Sequence, residues 1–177
     1  MALCMFFAYL TCTFTAHVMR KQKLKLAILR YQNKYNRQTA AQLRKIIEEL
    51  KNEDQEWVSE NLSTQRIEPN ETVLDMAAQK NDIETINIIV KKAQQCLKLS
   101  NLLPFIQTPL LRAAKQNNFE VAEALLENLT ARRKFRVINA LDGMGKKANA
   151  YIPQEGEKLR QLFTDCDEAA KTGMFFE

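Results

Sequence analysis

The chain has few of the residues on which enzymes and metal sites depend. His17 is its only histidine, so no histidine-based catalytic triad can be assembled. None of the four cysteines forms a C-x-x-C pair, a spacing typical of zinc sites, and we expect all four to be reduced thiols in a cytosolic domain. With only four glycines and four prolines among 177 residues, a strand-rich architecture is disfavoured. The sequence therefore predicts a non-enzymatic chain that needs no cofactor and no metal.

A glycine pair at Gly143 and Gly145, followed by Lys146 and Lys147, superficially resembles a phosphate-binding loop. That motif also requires a glycine where Ala140 stands and a serine or threonine where Lys147 stands. We interpret these residues as an ordinary loop.

Basic residues are concentrated near the beginning of the chain. Residues 20–45 contain nine lysines and arginines and no acid, although the net charge of the whole chain is only +5. Leu24, Ala27, Ile28, Tyr31 and Tyr35 recur at helical spacing, which predicts one basic amphipathic helix over residues 20–44. The basic residues expected to meet an anionic membrane surface are Lys21, Lys23, Arg30, Lys34 and Arg37. Two other interpretations stay open: a capping helix with a solvated basic side, and, less favoured, contact with nucleic-acid phosphates.

Residues 1–19 contain no Asp, Glu, Lys or Arg. The segment is short for a bilayer span, and it lacks the basic start of a signal peptide. Three interpretations are open: a membrane anchor, a translation start that lies at Met19, or a helix packed on the rest of the chain. If it is an anchor, the basic residues that follow place the remaining chain in the cytosol.

Two stretches repeat each other at a constant spacing of 36 residues, 71–90 and 107–126. The matching pairs include Thr72 and Thr108, Leu74 and Leu110, Ala77 and Ala113, Ala78 and Ala114, Asn81 and Asn117, and Glu84 and Glu120. Each stretch predicts two helices joined by an asparagine turn, with Thr108 and Pro109 opening the first helix of the second copy. We expect the second helix of the first copy to run to about Leu99. Residues 131–147 form a long basic connection after the second copy, in which residues 132–136 are expected to continue its second helix. Repeats of this period are typical of stacked solenoids.

The segments TPLLRAA and FEVAEALL, with their looser copies TVLDMAA and IETINIIV, resemble the ankyrin-repeat family. Val73 replaces the proline of that motif, Asp75 and Leu111 replace its histidine, and Asn81 and Asn117 replace its turn glycine. Fainter copies lie at residues 46–62 and 150–163. The resemblance implies an all-α, ankyrin-like solenoid of about four helix-turn-helix repeats over residues 45–163, after an N-terminal helical extension and before a C-terminal tail at 164–177.

The resemblance also implies a function. Ankyrin stacks bind partner proteins through their concave side, so we expect a protein-protein interaction module or adaptor whose partner the sequence does not name. The matching positions are Glu68, Glu71, Gln79, Lys80, Phe105, Gln107, Lys115 and Gln116, to which we add Arg112. Short, degenerate arrays rich in asparagine and lysine are similar to effector proteins of intracellular bacteria. A cytoplasmic repeat domain, tethered by its N-terminus or delivered into a host cell, is the expected location, and a membrane-attached scaffold held through residues 1–37 is the alternative.

Overall fold

A computed structural model describes residues 18–19, 22–49, 71–96 and 99–173. These residues form helices joined by turns, which confirms the prediction of an all-helical chain. The chain divides into two compact units, residues 1–49 and residues 50–177. This boundary lies a few residues after the one predicted between positions 44 and 45.

The described residues of unit one form two helices where the sequence predicted one. Helix α1 covers residues 22–33, and helix α2 spans Arg37–Glu48. The chain restarts at Asn36, whose Oδ1 accepts a hydrogen bond from the Thr39 amide at 2.8 Å, while the Asn36 amide donates to Thr39 Oγ1 at 3.1 Å. Because this capping box satisfies amides at a helix start, it defines a new N-terminus inside the predicted helix.

Both helices bury one apolar side. The buried residues share helical spacing and are Leu24, Ala27, Ile28 and Tyr31 on α1 and Ala40, Leu43 and Ile47 on α2. Tyr35 was predicted to belong to this apolar side, but it lies between the helices and is exposed. The break therefore removes Tyr35 from the core, although its ring still meets that of Tyr31 edge-on at 5.4 Å.

Unit two contains six α-helices and one 3-10 helix within its described residues. They are α3 (Val73–Gln79), α4 (Ile83–Cys96), α5 (Leu99–Lys115), α6 (Phe119–Glu127), α7 (Ala131–Ile138), the 3-10 helix Ala148–Tyr151, and α8 (Glu157–Gly173). Helix α5 packs between α3 and the 3-10 helix, and α6 packs between α4 and α8. We call α3, α5 and the 3-10 helix the first row, and α4, α6 and α8 the second row. Helix α7 packs on α5 and α8.

The turns between paired helices have the same backbone conformation. Asn81 and Asn117 have φ angles of 54° and 52°, the left-handed region that asparagine tolerates better than most side chains. The residue after each asparagine donates its amide hydrogen to a carbonyl of the preceding helix. Asp82 N donates to Ala77 O at 3.0 Å, and Asn118 N donates to Ala113 O at 2.9 Å. The asparagines therefore end α3 and α5 in the same way.

Three predicted boundaries are wrong. Helix α5 begins at Leu99 and runs through Pro109, so Thr108 does not open a helix. Helix α7 is separate from α6, because the chain leaves the helix after Glu127 and re-enters it at Ala131. Helix α8 extends to Gly173, so most of the predicted tail at 164–177 is helical. The faint repeat at 46–62 falls largely outside the described residues.

Candidate functional site

Three predicted contact residues meet where α3 and α5 lie side by side. The Arg112 Nη2 atom lies 3.1 Å from the Glu71 Oε1 atom, and Gln79 Nε2 donates a hydrogen bond to the same oxygen. Glu71 lies just before α3, Gln79 ends that helix, and Arg112 comes from the next helix of the row. The structure thus joins residues 41 positions apart into one half-exposed polar cluster.

A buried carboxyl lies beneath this cluster. Asp75 is only 1% exposed, and its Oδ2 accepts hydrogen bonds from the Thr72 amide and hydroxyl at 3.0 and 2.8 Å. Burial raises the pKa of Asp75, although the bonds from Thr72 and the charge of Arg112 act in the opposite direction. Asp75 Oδ1 and Arg112 Nη1 are both buried without a hydrogen-bond partner. The cluster is therefore polar throughout but incompletely bonded.

The opposite edge of α5 carries a second group of contacts. Lys115 Nζ lies 4.5 Å from the centre of the Tyr151 ring, within the range of a cation-π interaction. Gln107 Nε2 donates to the Leu141 carbonyl at 2.9 Å. Lys115 therefore contacts the 3-10 helix, and Gln107 contacts the segment that leads into it.

That segment, residues 141–146, is closed by bonds to one carboxylate, and we call it the 141–146 loop. Asp142 Oδ1 accepts from the Met144 and Lys146 amides, both at 2.9 Å, and Oδ2 accepts from the Tyr151 hydroxyl. The bond from Tyr151, followed by that from Lys146, holds the pKa of Asp142 below its usual value. The Asp142 carboxylate therefore joins two amides of the loop to the Tyr151 hydroxyl.

The 141–146 loop presents two apolar side chains. Leu141 is 60% exposed and Met144 is 69% exposed. Gly145 takes a φ of 72°, in the left-handed region that favours glycine. These two side chains supply apolar surface, which in larger contiguous patches marks protein contacts.

The remaining predicted site residues have different surroundings. Gln116 is exposed beside Lys115, and Lys80 is half-buried at the end of α3. Phe105 is 4% exposed and belongs to the core, so its prediction as a contact residue is wrong. Its burial follows from the early start of α5, which turns a predicted loop residue toward the core. Glu68 lies outside the described residues.

Sequence reasoning did not identify Leu141, Asp142, Met144 and Tyr151. The Asp142–Gly143 dipeptide is a turn signal, and it could have indicated that the carboxylate organises the loop. Nothing local predicts Tyr151, because its role depends on the packing of the 3-10 helix against α5.

A groove of about 230 Å³ lies between the start of the 3-10 helix and α8. Its polar groups bond one another: Lys147 Nζ to Asn139 Oδ1 at 2.7 Å, Asn139 Nδ2 to Asp167 Oδ1 at 2.7 Å, and Lys171 Nζ to Asp167 Oδ2 at 2.8 Å. The bond from Lys171 lowers the pKa of Asp167. Because these groups already satisfy one another, we assign the groove a structural role.

The predicted membrane-facing residues do not lie on one helix. Lys23 and Arg30 are exposed on α1, Lys34 follows that helix, and Arg37 begins α2, while Lys21 lies outside the described residues. Among the helices of the described residues, none has both the length and the apolar character that crossing a bilayer requires. The anchor proposed for residues 1–19 falls almost wholly on residues that the structure does not describe.

Cys166 is the one cysteine whose side chain the described residues place, and it is buried on α8. Burial raises the pKa of this thiol, and a protonated thiol is a poor nucleophile.

The polar clusters described above hold groups that can bind and orient a partner. Comparisons of the chain with protein-family models, curated proteins and solved structures give no match.

Proposed function

We propose that unit two is a non-enzymatic, ankyrin-like module that binds a partner protein through its first row and the 141–146 loop. One observation carries this proposal: five predicted residues along α5 and its neighbour α3 contact one another, the loop or the 3-10 helix. They are Glu71, Gln79 and Arg112, which contact one another, Gln107, which contacts the loop, and Lys115, which contacts the 3-10 helix. Two exposed apolar side chains lie at the end of this surface.

Contacts between sequence-equivalent regions support the ankyrin-like stack. Asn118 Nδ2 donates to Asn81 Oδ1 at 3.2 Å, and Asn128 Nδ2 donates to Asn87 Oδ1 at 3.3 Å. Arg133 Nη1 donates to the Gln94 carbonyl at 2.8 Å. These partners are 37, 41 and 39 residues apart, as expected of neighbouring units whose repeat is 36 residues.

The turn before α8 extends the same pattern. A Cβ atom on Gly156 would lie 2.7 Å from Asn117 Oδ1 and 2.3 Å from Ile152 Cγ2. Glycine is therefore required where this turn approaches the asparagine turn of the preceding helix pair. Three turns, around Asn81, Asn117 and Gly156, thus lie against one another in order.

The chemistry of the surface indicates what it binds. Leu141 and Met144 supply apolar area, and Lys115 and Lys146 both lie over the Tyr151 ring, with Nζ atoms 4.5 and 5.9 Å from its centre. An apolar anchor beside lysines is complementary to a partner with an apolar side chain flanked by acids. An interface of ordinary size buries about 800 Å² per partner, so several elements of the row contribute.

The test is capture of partners from lysate by the full chain, with quantification of each captured protein. A variant carrying Leu141→Ser, Met144→Ser and Lys115→Glu changes exposed groups only. We expect its capture of the specific partner to fall roughly tenfold, because a few residues of an interface contribute most of its affinity.

The matched control is Leu26→Ser with Leu29→Ser, which changes exposed leucines of unit one. This variant should retain the partner. Equal capture by the parent and the loop variant would overturn the proposed surface, provided that circular dichroism shows the same helix content in all three proteins.

A further inference from the structure

Helix α1 exposes leucines on the side that does not enter the core. Leu26 is 52% exposed and Leu29 is 39% exposed. They are three residues apart on one helix, so their side chains are neighbours. Their exposure leaves an apolar patch without a partner in the described residues of unit one, since the buried positions of α1 lie on its other side.

Positive charge surrounds this patch. Lys23, Lys25 and Arg30 are exposed on α1, and each lies three or four residues from Leu26 or Leu29. The sequence from residue 20 to residue 47 contains no aspartate or glutamate. The first acids of unit one, Glu48 and Glu49, come at the far end of α2. The charged residues of α1 around the leucine patch are therefore all positive.

We propose that α1 lies flat on an anionic membrane surface, with Leu26 and Leu29 inserted among the acyl chains and Lys23, Lys25 and Arg30 at the headgroups. Long basic side chains can extend their charges toward phosphate while their stems cover apolar surface. A helix held at an interface in this way combines buried apolar area with attraction to anionic lipid. It needs no membrane-spanning length.

The combination of leucines and lysines favours lipid over nucleic acid. Phosphates of a nucleic acid would meet the basic residues, but they would leave Leu26 and Leu29 in water. An anionic bilayer provides partners for both groups, with acyl chains for the leucines and headgroup phosphates or carboxylates for the cations. This assignment concerns unit one only and does not depend on the partner surface proposed for unit two.

The test is flotation of the full chain with vesicles of phosphatidylcholine alone and with vesicles containing about 30% phosphatidylserine. We expect binding to the anionic vesicles only, weakened by high salt because the charges are screened. Leu26→Ser with Leu29→Ser should weaken that binding roughly tenfold or more, because binding scales with inserted apolar area. A second variant, Lys23→Gln with Arg30→Gln, should also weaken it.

The matched control is Leu141→Ser with Met144→Ser, which removes two exposed apolar groups from unit two and should bind vesicles like the parent. Absence of binding to anionic vesicles overturns the proposal. Unchanged binding of the Leu26→Ser, Leu29→Ser variant also overturns it, since another segment would then carry the attachment. If the chain binds an RNA oligonucleotide but does not bind anionic vesicles, the basic surface recognises phosphate alone, and this result would also contradict the proposal.

Discussion

The helix pairs α3/α4 and α5/α6 end their first helices in the same way but begin them differently. Asn81 and Asn117 take nearly equal positive φ angles, so the turn repeats faithfully. Helix α3 starts at Thr72, whose hydroxyl accepts from the Asp75 amide at 3.2 Å. Thr108, at the equivalent position of the second pair, lies inside α5. A start signal therefore acts only where the preceding residues do not already form a helix.

The residues before Thr108 explain the difference. Leu102, Phe105 and Ile106 are buried at helical spacing in line with Leu110. Burying each of these side chains contributes about 1.5–3 kcal/mol, whereas a proline inside a helix costs about 3 kcal/mol. The three together contribute about 4.5–9 kcal/mol, a range that includes the cost of about 6 kcal/mol for Pro104 and Pro109, both of which α5 contains. An apolar side that packs on the core thus extends the helix past two local breakers.

The largest expected effect tests whether the two pairs share one core. Leu74 and Leu110 are equivalent and both fully buried. Leu74→Ala and Leu110→Ala should each lower the free energy of unfolding by about 2–5 kcal/mol, because each leaves a cavity. Urea denaturation followed by circular dichroism measures this, and the exposed Leu29→Ala should change it by less than about 0.5 kcal/mol. A separate second transition in either core variant would mean that the pairs unfold independently.

A smaller effect separates the two helix starts. Thr72→Ala should lower the free energy of unfolding by about 0.5–2 kcal/mol, because it removes the N-cap of α3. Thr108→Ala should change stability by less than about 0.5 kcal/mol, since Thr108 is exposed within a helix and alanine favours helix. The same urea titration compares them. Equal losses for both substitutions would contradict the continuous α5.

The finest distinction between the pairs is a pH dependence at Asp75, whose equivalent in the second pair is Leu111. Because burial raises the folded-state pKa of Asp75 above 3.8, its stabilising contribution is complete below that pH and is lost as pH rises through the raised value. The stability of the parent relative to Asp75→Asn should therefore fall between pH 3.8 and neutral pH. Urea midpoints of both proteins across that range measure the difference. A difference independent of pH would show that the carboxyl titrates normally.

Several features follow from the sequence alone because their causes are local. Apolar residues at helical spacing predict the helices, and an asparagine between two such stretches predicts a left-handed turn, as Asn81 and Asn117 have. The spacing of 36 residues aligns regions that the structure places in contact, including Asn81 with Asn118. The break at Asn36 was predictable in principle, since Asn36 and Thr39 stand at the spacing of a capping box.

Tertiary structure alone decided the early start of α5, the burial of Phe105 and the meeting of Lys115 and Asp142 at Tyr151. Proline apart, helix and turn preferences act over a few residues and amount to about 1 kcal/mol or less each. Burial acts between residues far apart in the chain, and each large apolar side chain contributes more than one local preference does. The sequence by itself thus determined that the chain is helical and that it turns at Asn81 and Asn117, whereas packing determined where α5 begins and which side chains remain on the surface.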